Sequence, residues 1–371
     1  MNKKFWATTF TLTGTIIGAG ILGLPYIFAK SGFLAGLFWL ITIGAVMIFV
    51  NLCLGEVALR TKGRHQLSGY AKKYLGPWGQ RIMFFAMLFG IYSALLAYLI
   101  GEGQSLSKLL PGNINPLILG IGFWIIMTLL LKEGLKGLKK IETWGVIAII
   151  IIIFGIFIRF FPQIQTPNLM MWNSTNLALP IGIVIFALMG FTSISELREE
   201  IRGQEKLLKK AIILGSIIPI ILYIIFSATV IGVLGKNITQ VAPLSFGPLM
   251  TILGIFTMLT SYFVLSFSLR DTFKFDIKTT KRTNLFFTSL VPLILYILVT
   301  KFNLLNFSSI LGIGGVISGG LTGILIIIMN KRSKQTTRSD KNPEINMPIN
   351  WLIIIILSII FIAGILLEFT H

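Results

Sequence analysis

Four glycines and a proline fall within the twelve residues Gly14-Thr15-Ile16-Ile17-Gly18-Ala19-Gly20-Ile21-Leu22-Gly23-Leu24-Pro25. Most of these side chains are small or apolar, so the chemistry open to the segment belongs mainly to its backbone. Glycine inside an α-helix costs about 1 kcal/mol and proline about 3 kcal/mol, which predicts an interruption around Gly18-Ala19-Gly20. A broken helix exposes N–H groups where its second half starts and C=O groups where its first half ends. The N–H end attracts a carboxylate, and the C=O end suits a cation or an ammonium group. Gly14 and Gly18 also fit the G-x-x-x-G spacing of closely packed helices, which would leave the helix whole. A second segment, Phe186-Ala187-Leu188-Met189-Gly190-Phe191-Thr192-Ser193, repeats the pattern more weakly, with a glycine followed by polar Thr192, Ser193 and Ser195.

Side-chain chemistry is sparse. Cys53 is the single cysteine, and His65 and His371 are the only histidines. No disulfide, no cysteine metal cluster and no nucleophile–base pair can be assembled from that set. The acidic residues Glu56, Glu196 and Asp271 fall at the inner ends of apolar segments, and Glu102 and Arg159 near outer ends, which leaves no buried acid pair for general acid–base work. An enzyme is excluded on those grounds.

The elements that position the glycine-rich segments follow from composition. The chain has 371 residues, 55% of them hydrophobic and 12% charged, with a mean hydropathy of +0.87. Soluble proteins carry about 25% charged residues, so this composition predicts a polytopic membrane protein. Eleven apolar segments are long enough to read as spans: 6–29, 33–59, 82–101, 115–131, 141–161, 177–197, 211–234, 246–269, 284–300, 307–329 and 349–369. The first is read as a span rather than a signal peptide, since its apolar run continues without a small-residue cleavage site.

The net charge of +19 marks topology rather than nucleic-acid binding. With the N-terminus in the cytoplasm, 27 of the 32 Lys and Arg residues lie inside, and Lys30, Lys108, Arg159, Lys236 and Lys301 remain outside. This bias predicts a cell-membrane protein with N-terminus in and C-terminus out, its basic loops touching anionic lipid. Within 61–80, Leu67, Tyr70, Ala71, Tyr74 and Leu75 recur at helical spacing, as in a helix lying on the inner leaflet.

Span six begins outside and span one inside. Residues 1–161 and 174–329 are therefore expected to form two five-helix repeats of opposite topology, followed by a cytoplasmic loop at 330–348 and an eleventh span at 349–371. Paired interruptions in corresponding helices of inverted repeats point to a transporter's binding site. At this point the segment from Gly14 to Tyr26, followed by Phe28-Ala29-Lys30-Ser31-Gly32-Phe33, resembles the first-helix signature of the amino acid/auxin permease family. The aromatic and hydroxy amino acid permeases carry a similar motif, and all fall within the amino acid–polyamine–organocation superfamily. The resemblance implies an all-α fold of a 5+5 inverted repeat plus one helix, with helices 1 and 6 unwound around the substrate. It also implies a secondary transporter working by alternating access, coupled to sodium or protons. A passive channel and an amino acid sensor with the same fold are the alternatives.

The expected substrate is a neutral amino acid, since the interior offers helix ends for a zwitterion and no fixed side-chain charge. The candidate substrate-binding residues are Thr15, Gly18, Ala19, Gly20 and Ile21 on helix 1, Tyr92 on helix 3, and Phe186, Ala187, Gly190 and Phe191 on helix 6. Phe186, Phe191 and Tyr92 are expected to wall an apolar pocket. Carried over from sodium-coupled relatives, a sodium site would take the carbonyls of Gly14, Ile17 and Thr257 and the hydroxyls of Thr260 and Ser261. Ile21 stands where a second sodium site would need a coordinating side chain, so at most one sodium ion is expected. No other cofactor is expected. If protons drive transport instead, Glu56 and Glu196 are the nearest acidic groups.

Overall fold

The computed structural model describes residues 3–63, 65–112, 114–133, 138–277, 279–335 and 343–368. Parts of the basic inner loops, including residues 336–342 of the 330–348 loop, and the end of the eleventh span lie outside the described residues. Every regular element among them is helical.

The first apolar segment is broken, as its glycines require. α1 (Lys3–Ile16) and α2 (Gly20–Ser31) meet at 53°, and Pro25 inside α2 removes a helix hydrogen bond one turn past the break. α3 (Phe33–Arg60) follows. α4 (Leu67–Leu109) is 43 residues long and turns at Gly76, whose φ of 79° and ψ of −170° lie outside the helical region. The amphipathic stretch ahead of Gly76 is docked on protein. Leu67, Tyr70, Ala71 and Tyr74 are buried, Thr61 and Tyr74 share a hydrogen bond of 2.7 Å, and Lys72 and Lys73 face outward. The apolar face expected on the inner leaflet therefore packs against the bundle, because neighbouring side chains fill the stripe better than lipid tails.

α5 (Pro116–Glu133), α6 (Leu138–Phe160) and a short outer helix, α7 (Thr166–Leu169), complete the first half. The sixth apolar segment is the second broken one. α8 (Pro180–Ala187) ends before an irregular stretch at 188–190, a 3-10 turn runs over Phe191–Ser193, and α9 (Ile194–Glu200) continues inward. Then come α10 (Leu208–Leu234), α11 (Pro248–Asp271), α12 (Lys281–Leu285), α13 (Val291–Lys301), α14 (Phe307–Gly314), α15 (Gly320–Ser333) and α16 (Trp351–Glu368). Five-residue π turns link α12 to α13 and α14 to α15.

Among the described residues, nine helical stretches are long and apolar enough to cross a membrane, and the bent pair makes ten. Pro116–Leu131 is a shorter apolar helix, so a count of eleven depends on that segment. The broken helices cross-pack between halves. α1 lies on α10, α8 lies on α3, and α2 touches both α8 and α10. The broken elements therefore lie side by side, enclosed by long continuous helices.

At the inner side, Glu56 is fully buried and accepts from Arg60 Nε at 2.9 Å, Asn330 Nδ2 at 3.0 Å and the Met347 N–H at 2.8 Å. Lys334 Nζ stands 3.2 Å away. A carboxylate surrounded by these donors ties α3 to α15 and to the segment before α16. In this arrangement Glu56 anchors the inner ends of these elements.

Candidate functional site

The two breaks meet around a small cavity of about 80 Å³, lined from both sides. Thr15, Gly18 and Gly20 line it from the first break, and Phe186, Phe191 and Thr192 from the second. The α4 wall is formed by Met87, Gly90, Ile91, Ala94 and Tyr98, whose three- and four-residue spacing makes one stripe of a helix. No acidic or basic side chain stands among the lining residues.

Close approach explains the glycines. A Cβ at Gly20 would run into the Ala187 Cβ and come within 2.5 Å of its Cα, so α2 can start only where α8 presents backbone. A Cβ at Gly18 would lie 2.8 Å from the Tyr98 hydroxyl, and one at Gly190 would lie 2.8 Å from Leu12 and 2.9 Å from Ile16. The same glycines that weaken the helices let the two breaks and α4 converge.

Five of the sequence candidates, Thr15, Gly18, Gly20, Phe186 and Phe191, are brought together at the cavity. Ala19, Ala187 and Gly190 form the surrounding backbone junction, and Ile21 is buried on α2 away from the lining. Tyr92 lies elsewhere, its hydroxyl donating to the Phe287 carbonyl at 3.0 Å. Six positions along a helix turn through about 600°, which places Tyr92 off the stripe that carries Tyr98.

Two tyrosines were missed from sequence. The Ala19 N–H donates to the Tyr98 oxygen at 3.4 Å, and the Tyr98 hydroxyl, which lines the cavity, also pairs with the Ser261 hydroxyl. The Tyr223 hydroxyl on α10 donates toward the carbonyls of Ile16 at 2.7 Å and Ala187 at 2.9 Å. A signal was present, because the chain has 8 Tyr against 29 Phe and a buried phenol in an apolar helix needs a partner for its hydroxyl. Glu102, one turn beyond Tyr98, also departs from the sequence reading. It is wholly buried and neither carboxyl oxygen has a hydrogen-bond partner among the described residues, so an outer-end position did not mean an exposed one. It does not line the cavity.

On α11, the Thr260 hydroxyl donates to the carbonyls of Phe256 and Thr257, each at 3.0 Å. The Ser261 oxygen lies 3.7 Å from a Cβ built at Gly18, beside the first break. Serine hydroxyls and free helix-end carbonyls are the hard oxygen donors a sodium ion takes, and a donating threonine hydroxyl keeps its lone pairs.

The description "Tryptophan/tyrosine permease family" matches residues 1–259. The chain is 27% identical over 239 residues to "Tyrosine-specific transport system 1" of Haemophilus influenzae, covering 64% of this chain and 60% of that one. It is 26% identical over 375 residues to "Glutamine transporter 2" of Aliivibrio fischeri, covering 93% and 94% of the two chains. Among solved structures it is similar to MhsT in complex with L-phenylalanine, with a TM-score of 0.72, 14% identity, and 98% and 97% of the chains covered. That likeness shows the fold: an all-helical membrane bundle with its first and sixth spans broken.

Proposed function

Because the chain belongs to the tryptophan/tyrosine permease family, we propose that it is a secondary transporter of neutral amino acids, with aromatic ones favoured. The observation that carries this reading is the cavity at the junction of the two breaks, apolar along Met87, Ile91, Phe186, Phe191 and Leu265 and free of acidic or basic side chains. A zwitterion fits such a site. Its carboxylate meets the N–H groups that open α2 and the Tyr98 O–H, and its ammonium meets the carbonyls that end α1 and α8. The side chain then lies along the phenylalanines. The amino acids for which the two relatives are named, tyrosine and glutamine, and the phenylalanine in the MhsT structure carry no net side-chain charge, which supports the same class. The family is one of permeases, so the chain is not an enzyme.

The proposed mechanism is alternating access, and the broken helices support it. The half-helices α1, α2, α8 and α9 are short bodies joined at non-helical residues, so each half can tilt against the continuous helices and expose the cavity to one side at a time. Uptake into proteoliposomes tests the reading: L-tyrosine, L-tryptophan or L-phenylalanine should accumulate with saturation against a gradient. Equal, non-saturating flux of all solutes would mean a pore and would sink it. Tyr98→Phe keeps the ring and removes the O–H. Hydrogen bonds to charged groups contribute about 1.5–3 kcal/mol, so the half-saturating concentration should rise about tenfold or more, as read from uptake kinetics.

The coupling ion in this proposal is sodium, held by the carbonyls of Gly14, Ile17 and Thr257 and the hydroxyls of Thr260 and Ser261. Bound there, the cation would offset the negative end of α1 beside the substrate carboxylate. Thr260→Val combined with Ser261→Ala should abolish the sodium dependence of uptake. Wild-type uptake that proceeds equally well in sodium-free buffer under a proton gradient would overturn the sodium assignment. In the proposed orientation the N-terminus is cytoplasmic and the C-terminus outside, in keeping with the inward bias of Lys and Arg.

A further inference from the structure

We propose that the Tyr223 hydroxyl is the clasp that holds the two helix breaks together, acting as a positioning residue for the substrate site; the inference deepens the transport reading and rests on it. The oxygen stands 2.7 Å from the carbonyl of Ile16, the last residue of α1. It stands 2.9 Å from the carbonyl of Ala187, the last residue of α8. Both acceptors are the C-terminal ends of half-helices, where carbonyls have lost their intrahelical partners and a partial negative charge collects. Two such ends repel one another. The group placed between them is a phenol that is fully buried.

A phenol carries one O–H, and two carbonyls compete for it here. Strengthening the bond to Ile16 weakens the bond to Ala187, so a movement of one half-helix is felt at the other. Tyr223 comes from α10, which packs on α1, α2 and α3, and the residue it grips on α8 is the one whose Cβ abuts Gly20 at the start of α2. The end of α1, the start of α2 and the end of α8 therefore meet at one hydroxyl. Tyr98 works in the opposite sense, accepting from the Ala19 N–H, and cannot take over this role. Without the Tyr223 hydroxyl, two buried carbonyls would lose their donor and the two breaks would drift independently.

The test compares Tyr223→Phe with Tyr296→Phe in the purified full-length protein. Tyr296 is also a buried phenol, but its hydroxyl donates to the Pro116 carbonyl at 3.0 Å, at the α4/α5 boundary away from the cavity. Amide hydrogen exchange is read at 16–22 and 186–191, without substrate. Exchange about tenfold faster in both segments in Tyr223→Phe, and unchanged in Tyr296→Phe, is the expected result. Acceleration in one segment alone, in neither, or equally in both variants overturns the clasp. In uptake assays Tyr223→Phe should also raise the half-saturating concentration of L-tyrosine about tenfold, with Tyr296→Phe unchanged; an unaltered value in Tyr223→Phe overturns the positioning role. If the wild-type protein takes up no amino acid, the transport reading fails while the exchange result still decides the clasp. Should Tyr223→Phe not accumulate, 3-fluorotyrosine at 223 makes the hydroxyl a stronger donor at nearly the same shape. Slower exchange in both segments is then expected, and unchanged exchange overturns the proposal.

Discussion

Gly20→Leu should abolish amino acid uptake while the protein still inserts and accumulates in the membrane. The site of the change is the first residue of α2, where even a Cβ would come within 2.5 Å of the Ala187 Cα. Side chains can turn away from an intruder, but a Cα moves only with its backbone. Overpacking of this kind costs about 1–3 kcal/mol even where neighbours adjust, and here α2 and α8 must separate at the point where the cavity is formed. Insertion should be unaffected because leucine in place of glycine only raises the hydropathy of the span. Gly122→Leu is the control: a Cβ at Gly122, on α5, meets nothing within 4 Å. Uptake retained in Gly20→Leu would show that the crossing of α2 and α8 does not shape the site. Loss in both variants would point to a general intolerance of larger residues.

Competition by charged amino acids should be at least about a thousandfold weaker than by neutral ones. Helix ends supply partial charges of about half a unit each, enough for the carboxylate and ammonium common to every amino acid. They leave nothing for a third charge on arginine, lysine or glutamate. Burying that charge without a partner costs several kcal/mol, and about 1.4 kcal/mol is a factor of ten in affinity. The structure sharpens this expectation, since no acidic or basic side chain lines the cavity. Glu102 is the nearest complication. It is buried one turn beyond Tyr98 on the same helix, yet outside the lining. Inhibition of L-tyrosine uptake by a panel of amino acids measures the difference. Arginine competing as well as phenylalanine would mean that the Glu102 carboxylate reaches the substrate. Glutamate competing as well would refute the charge argument outright.

The sequence by itself determined the class of molecule and the place of its irregularities. Apolar segments long enough to span a bilayer, with basic residues collected in alternate loops, leave few other structures open. The glycines from Gly14 to Gly23, with Pro25, marked the first break within a residue or two, because backbone penalties are local and do not wait for packing. Gly190 marked the second for the same reason. The amphipathic run from Leu67 to Leu75 was legible as a helix, but its partner was not: period 3.6 reveals an apolar face and says nothing of whether lipid or protein covers it. What only the tertiary structure decided is which side chains converge. Tyr92 and Tyr98 look equivalent in the chain, and helical rotation sends the first to Phe287 and the second to Ala19. Tyr223 could not be connected to Ile16 and Ala187, which are 207 and 36 residues away in sequence. Such pairings depend on how two broken helices cross a third, and that crossing is set by the summed packing of the whole bundle rather than by any local pattern.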